Sequence, residues 1–230
     1  VLFSDKIKAN TITINHPEVV LYKKNRKAVN NSKSIRSEVV EPFQKLIVVS
    51  NVNLNKGDFK IIYVKDNTPV LSVKNVTVQL DGILITDETL EKKIPISYKK
   101  YAFSCDSLFF LTDKLYYIRA DKVKTTSSGL ELKKFSMVSE FNRKQFVNQL
   151  AKEKDLFTLK ADEITIRNMD WGFKEEQFYF TTSAVVLDKM YANIYRSKIP
   201  EDDLSKKKLY NKLLRDIPFP MKVDTLSIRN

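Results

Sequence analysis

Cysteine, histidine and glycine are scarce in this 230-residue chain, and each scarcity excludes a kind of site. One cysteine, Cys105, and one histidine, His16, allow no internal disulfide, no thiolate metal cluster and no histidine-rich metal site. The four glycines stand far apart, so they cannot form a P-loop or a dinucleotide-binding fingerprint. No spacing supports a Ser-His-Asp or Cys-His constellation. We therefore expect a protein that is not an enzyme and that holds no cofactor or metal.

Long hydrophobic runs are missing as well. No apolar run approaches the ~20 residues that a membrane-spanning helix needs, and no signal-peptide pattern is present. The sequence begins at Val1, without a starting methionine, and its first residues read as the middle of a domain. We expect a section of a longer protein, with any membrane anchor or targeting segment outside these residues.

Positive charge is abundant, with a formal net charge of +12. Such a balance favours anionic partners, namely nucleic acid, anionic lipid or an acidic polymer. The basic residues occur in short, separated clusters such as Lys23-Lys24 and Lys206-Lys207-Lys208, which is typical of a solvated surface. A nucleic-acid-binding module would need basic residues interleaved with exposed aromatic residues on one face. We keep that function as an alternative and expect nucleic acid not to be the partner.

A short pattern recurs along the chain. Its copies read IKANTITI, LSVKNVTV, IRADKVKT, LKADEITI and MKVDTLSI, and they start at Ile7, Leu71, Ile118, Leu159 and Met221. Apolar residues fall at the first, third, sixth and eighth positions, so a step of three interrupts the two-residue alternation of a strand. A β-bulge at the Asp or Asn would restore one apolar face. Two short strands would explain the pattern equally well.

Strand candidates dominate the rest of the sequence. We expect turns at 15–17, 55–58 and 171–172, the second of them closing a hairpin between strands 46–54 and 59–64. Short helices are expected at 34–43, 139–152 and 203–216. The predicted fold is mainly β: a curved, largely antiparallel sheet, shaped as a β-groove or open barrel, with two or three short capping helices. It is expected to form a single elongated domain over residues 1–230, with 1–99 and 100–230 as an alternative division.

Three segments between residues 118 and 171 read IRADKVKTTSSGLELKKFSMV, SEFNRKQFVNQLAKEKDLF and LKADEITIRNMDW. Together with the later stretches IYRSKIPEDD and LLRDIPFPMKVDTLSIRN, they resemble large AsmA-like proteins of Bacteroidetes-type bacteria. The resemblance covers about residues 100–230, and residues 1–99 fit only through the repeat and their β character.

The AsmA-like family is similar to bridge-like lipid-transfer proteins that are built from repeating β-groove units. The resemblance implies a periplasmic protein, anchored in the inner membrane through a segment that is not in this chain. It also implies that the groove carries phospholipid toward the outer membrane, as part of outer-membrane biogenesis. It transfers no catalytic motif and no specific binding residue.

The second halves of four repeat copies supply the candidate groove-lining residues, which are Ile12, Ile14, Val76, Val78, Ile164, Ile166, Leu226 and Ile228. Phospholipid or another acyl lipid is the expected ligand, because each acyl CH₂ that is buried contributes about 0.8 kcal/mol. Other proteins of the cell envelope are further expected partners. If the same apolar face closes as an ordinary core, the chain is instead an envelope interaction scaffold without lipid.

Overall fold

The computed structural model describes residues 7–24, 47–84, 87–90, 97–112, 115–174, 177–204 and 219–230. The strands in these ranges are β1 Ile7–Asn15, β2 Glu18–Lys23, β3 Ile47–Tyr63, β4 Pro69–Asp81, β5 Lys100–Leu111, β6 Tyr116–Thr126, β7 Gly129–Ser139, β8 Asp155–Arg167, β9 Asp170–Lys174, β10 Gln177–Asp188, β11 Tyr191–Arg196 and β12 Met221–Arg229. Two short helices accompany them, α1 Asp87–Leu90 and α2 Arg143–Asn148. The prediction of a mainly β fold is confirmed.

The twelve strands form one hydrogen-bonded sheet. Its main order is β1-β3-β4-β5-β6-β7-β8-β10-β12, and β2, β9 and β11 pair with β3, β10 and β8 respectively. The chain divides into two compact units, which are unit 1 (residues 1–106 and 124–127) and unit 2 (residues 107–123 and 128–230). β1 with β3 and β10 with β12 are parallel pairs, whereas β3 with β4, β7 with β8 and β8 with β10 are antiparallel.

The sheet is interrupted at positions that we call creases. At a crease two paired strands each leave one or two residues out of the ladder, and the register is the same on either side. β7 and β8 keep one register throughout and omit only Lys134 and Asp162. The same omission falls on Asn10 with Ser50 between β1 and β3, and on Ser183 with Asp224 between β10 and β12. A crease differs from the predicted β-bulge, because a bulge adds a residue to one strand only. Between β3 and β4, however, the register shifts on either side of Gly57, as a bulge would make it do.

Some neighbouring strands are the two halves of one creased strand. β1 and β2 pair with β3 in one continuous register across His16 and Pro17. The His16 N–H donates to Asn55 O at 2.8 Å, and the Asp58 N–H donates to Pro17 O at 2.8 Å. β8 with β9, and β10 with β11, are joined in the same way. The turn predicted at 15–17 is therefore a crease within a strand.

A crease turns two consecutive side chains toward the same side of the sheet. Lys133 Nζ lies 3.8 Å from Glu163 Oε2, and Lys134 Nζ lies 3.0 Å from Asp162 Oδ1. Consecutive side chains of an uninterrupted strand lie on opposite faces. The crease thus accounts for the step of three in the repeat and keeps the apolar residues on one face. Left-handed backbone (φ near 50°) marks several creases, at His16, Lys56, Lys134, Asn168 and Lys189. Asn75 and Lys122 have the same backbone conformation, each directly after the fourth position of a repeat copy.

The predicted hairpin turn at 55–58 is wrong. β3 runs without a break through these residues, and both of its halves pair with β4. The chain instead reverses after Tyr63, whose N–H donates to Thr68 O at 2.9 Å. The Asn-Lys-Gly-Asp sequence lies at a crease. There Lys56 has φ 53°, and Gly57, without a side chain, lets neighbouring side chains approach closely. The turn predicted at 171–172 is also wrong, because both residues belong to β9.

Apolar side chains pack against one another at the creases. A Cβ on Gly57 would lie 2.9 Å from Leu54 Cδ2 and 2.9 Å from Pro17 Cγ, so side chains before and after the crease meet there. In unit 2, Ala120 and Ala161 hold the third position of their repeat copies and are 1% and 5% exposed. These small or apolar residues are therefore packed closely where the strands crease.

Helix α2 lies inside the predicted helix 139–152. Asn142 caps it, accepting a hydrogen bond from the Gln145 N–H while the Gln145 side chain accepts from the Asn142 N–H. Its Phe146 is 1% exposed and packs with Tyr116 and Leu156 in the hydrophobic core of unit 2. The helix predicted at 34–43, and residues 205–216 of the helix predicted at 203–216, lie outside the described residues.

Candidate ligand-binding surface

Two rows of apolar side chains cross four strands of unit 2. The registers place Ile164 opposite Leu132 and Leu187, and they place Leu187 opposite Ile228. The second row lies two residues away along each strand. It consists of Leu130, Ile166, Val185 and Leu226. On β8 and β10 these rows occupy the segment between the Asp162–Lys189 crease and the Asn168–Ser183 crease. We call them the apolar rows of unit 2.

Unit 1 carries apolar rows of the same design. One row consists of Ile12, Val52 and Leu80, and the other of Ile14, Leu54 and Val78. They occupy the segment of β1 and β3 between the Asn10–Ser50 crease and the His16–Lys56 crease. The two units therefore repeat one arrangement of creases and apolar positions.

All predicted groove-lining residues except Val76 belong to an apolar row. Val76 is 2% exposed and lies in the packed core beside the Gly57 crease. Sequence reasoning missed the row members on β3, β7 and β10, because these strands do not carry the full repeat pattern. It also missed Leu80, which lies just beyond the repeat copy of β4. A shorter signal was present: Leu130-Glu131-Leu132 is followed by two lysines, and Val52-Asn53-Leu54 by an Asn-Lys pair.

The apolar rows retain accessible surface. Their members on β7, β8 and β10 are half-buried, and on β12 Leu226 and Ile228 are 62% and 59% exposed. On β1, Ile14 is 43% exposed. A side chain in the closed core, such as Phe146, is 1% exposed. The rows thus offer apolar area that an additional molecule can cover.

Charged residues cluster at the crease that contains Lys134, Asp162 and Lys189 in unit 2. Each of four strands contributes a consecutive pair to an open depression of about 470 Å³, lined by Asp121, Lys122, Lys133, Lys134, Asp162, Glu163, Asp188 and Lys189. We call this set the charged band. Its four acidic and four basic side chains balance one another, so the net positive charge of the chain lies elsewhere.

Asp162 forms ion pairs with two lysines of the charged band. Lys134 Nζ lies 3.0 Å from Asp162 Oδ1, and Lys189 Nζ lies 3.5 Å from Asp162 Oδ2. The hydrogen bond and charge of Lys134, followed by those of Lys189, hold the pKa of Asp162 below its ordinary value. These contacts link three strands where the backbone ladder is interrupted. The charged band therefore stabilises the packing of the strands.

An aromatic cluster extends the apolar face of unit 2 beyond the second crease. The Phe178 ring lies 5.0 Å from that of Phe219, 5.5 Å from that of Phe173 and 6.3 Å from that of Trp171, measured between centroids. Phe173 is 40% exposed. Trp171 is the only tryptophan of the chain, so its fluorescence reports on this face alone.

Among the described residues, no group of three or more His, Cys, Asp or Glu side chains is placed to hold a metal ion. Within the same ranges, no helix is both long and apolar enough to cross a membrane. Comparison with known proteins finds no family model, no curated protein and no solved structure that matches this chain.

Proposed function

We propose that this chain is a non-enzymatic section of a cell-envelope protein whose creased sheet forms an apolar groove that binds or conducts acyl lipid. The observation that carries the proposal is the pair of apolar rows in unit 2. Their residues on β7, β8 and β10 are half-buried rather than enclosed, and together with those on β12 they lie side by side across four strands.

The size of the rows suits an acyl chain. Neighbouring strands lie ~4.8 Å apart, so a row that crosses four strands is ~14 Å long, and the two rows are ~7 Å apart along the strands. Ten methylenes buried along a row would contribute ~8 kcal/mol at about 0.8 kcal/mol each. Ordering the lipid offsets part of this gain. A bound lipid is therefore energetically reasonable without any specific polar contact.

The AsmA-like resemblance supports the same proposal. It stays a prediction, as do the periplasmic location and the inner-membrane anchor outside this chain that it implies. The competing function is an envelope scaffold in which protein, rather than lipid, covers the apolar rows. That function predicts a chain that purifies without lipid and binds none.

The direct test compares two variants of β8 by native mass spectrometry and lipid extraction. Replacing Ile164 and Ile166 together by Thr keeps β-branched side chains and removes about two carbons from each. We expect phospholipid to accompany the wild-type chain and its affinity to fall by about two orders of magnitude in the variant, since ~3 kcal/mol of apolar contact is lost. Thr165→Val, on the opposite face of the same strand, is the matched control and should leave the affinity unchanged.

Trp171 gives a second readout in solution. Phospholipid with brominated acyl chains should quench its fluorescence in the wild type and in Thr165→Val, and much less in the Ile164→Thr/Ile166→Thr variant. A chain that carries no lipid and shows no quenching would reject the groove and favour the scaffold. Equal binding by all three proteins would place the lipid elsewhere.

A further inference from the structure

The two strands at the ends of the main strand order are built alike. β1 pairs with β3 and β12 pairs with β10, both in parallel, and no further partner of either strand lies within the described ranges. β12 is exposed along most of its length, with Leu226 at 62% and Ile228 at 59%. An unpaired strand edge presents free N–H and C=O groups that another strand can join.

Both end strands carry the repeat, with its crease at the same position. In IKANTITI the omitted residue is Asn10, and in MKVDTLSI it is Asp224. Setting these two residues side by side places Ile12 beside Leu226 and Ile14 beside Ile228. The two edges therefore match in crease position and in the spacing of their apolar residues.

The crease restricts which strand can be added to such an edge. In the β1–β3, β7–β8 and β10–β12 pairs, each crease of one strand meets a crease of its neighbour. A strand without a crease would move its side chains to the opposite face beyond Asp224, because one residue of offset reverses the alternation. Its polar residues would then continue the apolar rows. The β1 edge of this same chain meets that requirement.

We propose that β12 of one copy of this chain pairs in parallel with β1 of a second copy, with Asp224 beside Asn10. Leu226 then lies opposite Ile12, and Ile228 opposite Ile14, so that both apolar rows of unit 2 continue into those of unit 1 in the next copy. The joint buries side chains that are exposed on each copy alone. Because the two surfaces differ, the contact is head to tail, and each added copy presents a further free edge.

Sedimentation velocity over a range of protein concentrations tests the joint. We expect the average mass of the wild type to rise with concentration. Leu226→Lys/Ile228→Lys blocks the β12 edge, and Ile14→Lys blocks the β1 edge, because pairing would bury an unpaired lysine within an apolar row. All three side chains are at least 43% exposed, so these variants should fold normally, as circular dichroism can check. Thr225→Lys, on the polar face of β12, is the matched control and should assemble as the wild type does.

Mixing the two blocked variants gives the decisive result. Each alone should stay a monomer, whereas the mixture should form a one-to-one dimer and nothing larger, because one free edge of each kind remains. A wild type that is monomeric at every concentration overturns the proposal. So does a dimer formed by Ile14→Lys alone, which would mean that β12 pairs with itself, or assembly that survives Leu226→Lys/Ile228→Lys. Leu226, Ile228 and Ile14 also belong to the apolar rows, so the separation comes from Ile164→Thr/Ile166→Thr. That variant leaves both edges unchanged, and it should lose lipid while it assembles as the wild type does.

Discussion

Lys134 and Asp162 face each other at the crease between β7 and β8, with Lys134 Nζ 3.0 Å from Asp162 Oδ1. Lys189 approaches the second carboxylate oxygen from β10 at 3.5 Å. The backbone ladder omits Lys134 and Asp162, so the carboxylate connects three strands where their main chains do not. Side-chain electrostatics thus take over part of the role of the ladder at this position.

The stability of the crease should depend on pH through Asp162. Its pKa is lowered in the folded chain by Lys134 and Lys189, so the contribution of the carboxylate to stability is present above the unfolded pKa. It is lost as pH falls through the lower, folded pKa. Asp162→Asn should therefore lower the melting temperature near neutral pH, and the difference from wild type should shrink below about pH 4.

The matching control for Asp162→Asn is Glu131→Gln, which changes an exposed carboxylate of β7 away from the crease. It should give the same melting temperature as the wild type. High salt should also reduce the effect of Asp162→Asn, because these charges are exposed and screened. A difference that is constant from pH 7 to about pH 3 would show that the carboxylate acts only through packing.

Two neighbouring residues at the crease of β3 should respond to substitution with opposite signs. Gly57→Ala places a Cβ 2.9 Å from Leu54 Cδ2 and from the rigid Pro17 ring, and we expect a loss of about 1–3 kcal/mol in the free energy of unfolding. Lys56 has φ 53°, so Lys56→Gly should relieve strain and gain up to about 1 kcal/mol. Urea denaturation measures both. If Gly57→Ala instead raised the free energy of unfolding, the space around Gly57 would not be tightly packed.

The repeat predicted members of the apolar rows only within its own copies. Its apolar positions identified Ile164, Ile166, Leu226 and Ile228, and each of these residues lies in an apolar row. Its irregular step was recognised as a device that keeps one apolar face. The structural form of this step, a crease, was not predictable from one repeat copy. A crease is shared by two paired strands, whereas one copy of the pattern contains only one of these strands.

Local signals misled the prediction where tertiary contacts decide the backbone. Asn55-Lys56-Gly57-Asp58 has the composition of a hairpin turn, yet β2 and β4 hold this segment from both sides. Asp58 Oδ1 accepts the Asn75 N–H at 2.9 Å, and the Asp58 N–H donates to Pro17 O. Those partners are distant in sequence, so turn propensity alone could not reveal a continuous strand.

The hydroxyl of Tyr116 should be worth more to stability than its small size suggests. It donates to Asp155 O at 2.9 Å and accepts from the Phe157 N–H at 3.1 Å, inside the cluster that Tyr116 forms with Phe146 and Leu156. Tyr116→Phe leaves both backbone groups without this partner in a partly buried site, so we expect a loss of about 1–3 kcal/mol in the free energy of unfolding by urea.

Tyr191→Phe, at a position that is 53% exposed, is the control and should change the free energy of unfolding by less than about 0.5 kcal/mol. Equal losses in the two variants would show that the hydroxyl of Tyr116 does not join β6 to β8, and that the cluster holds these strands by apolar contact alone.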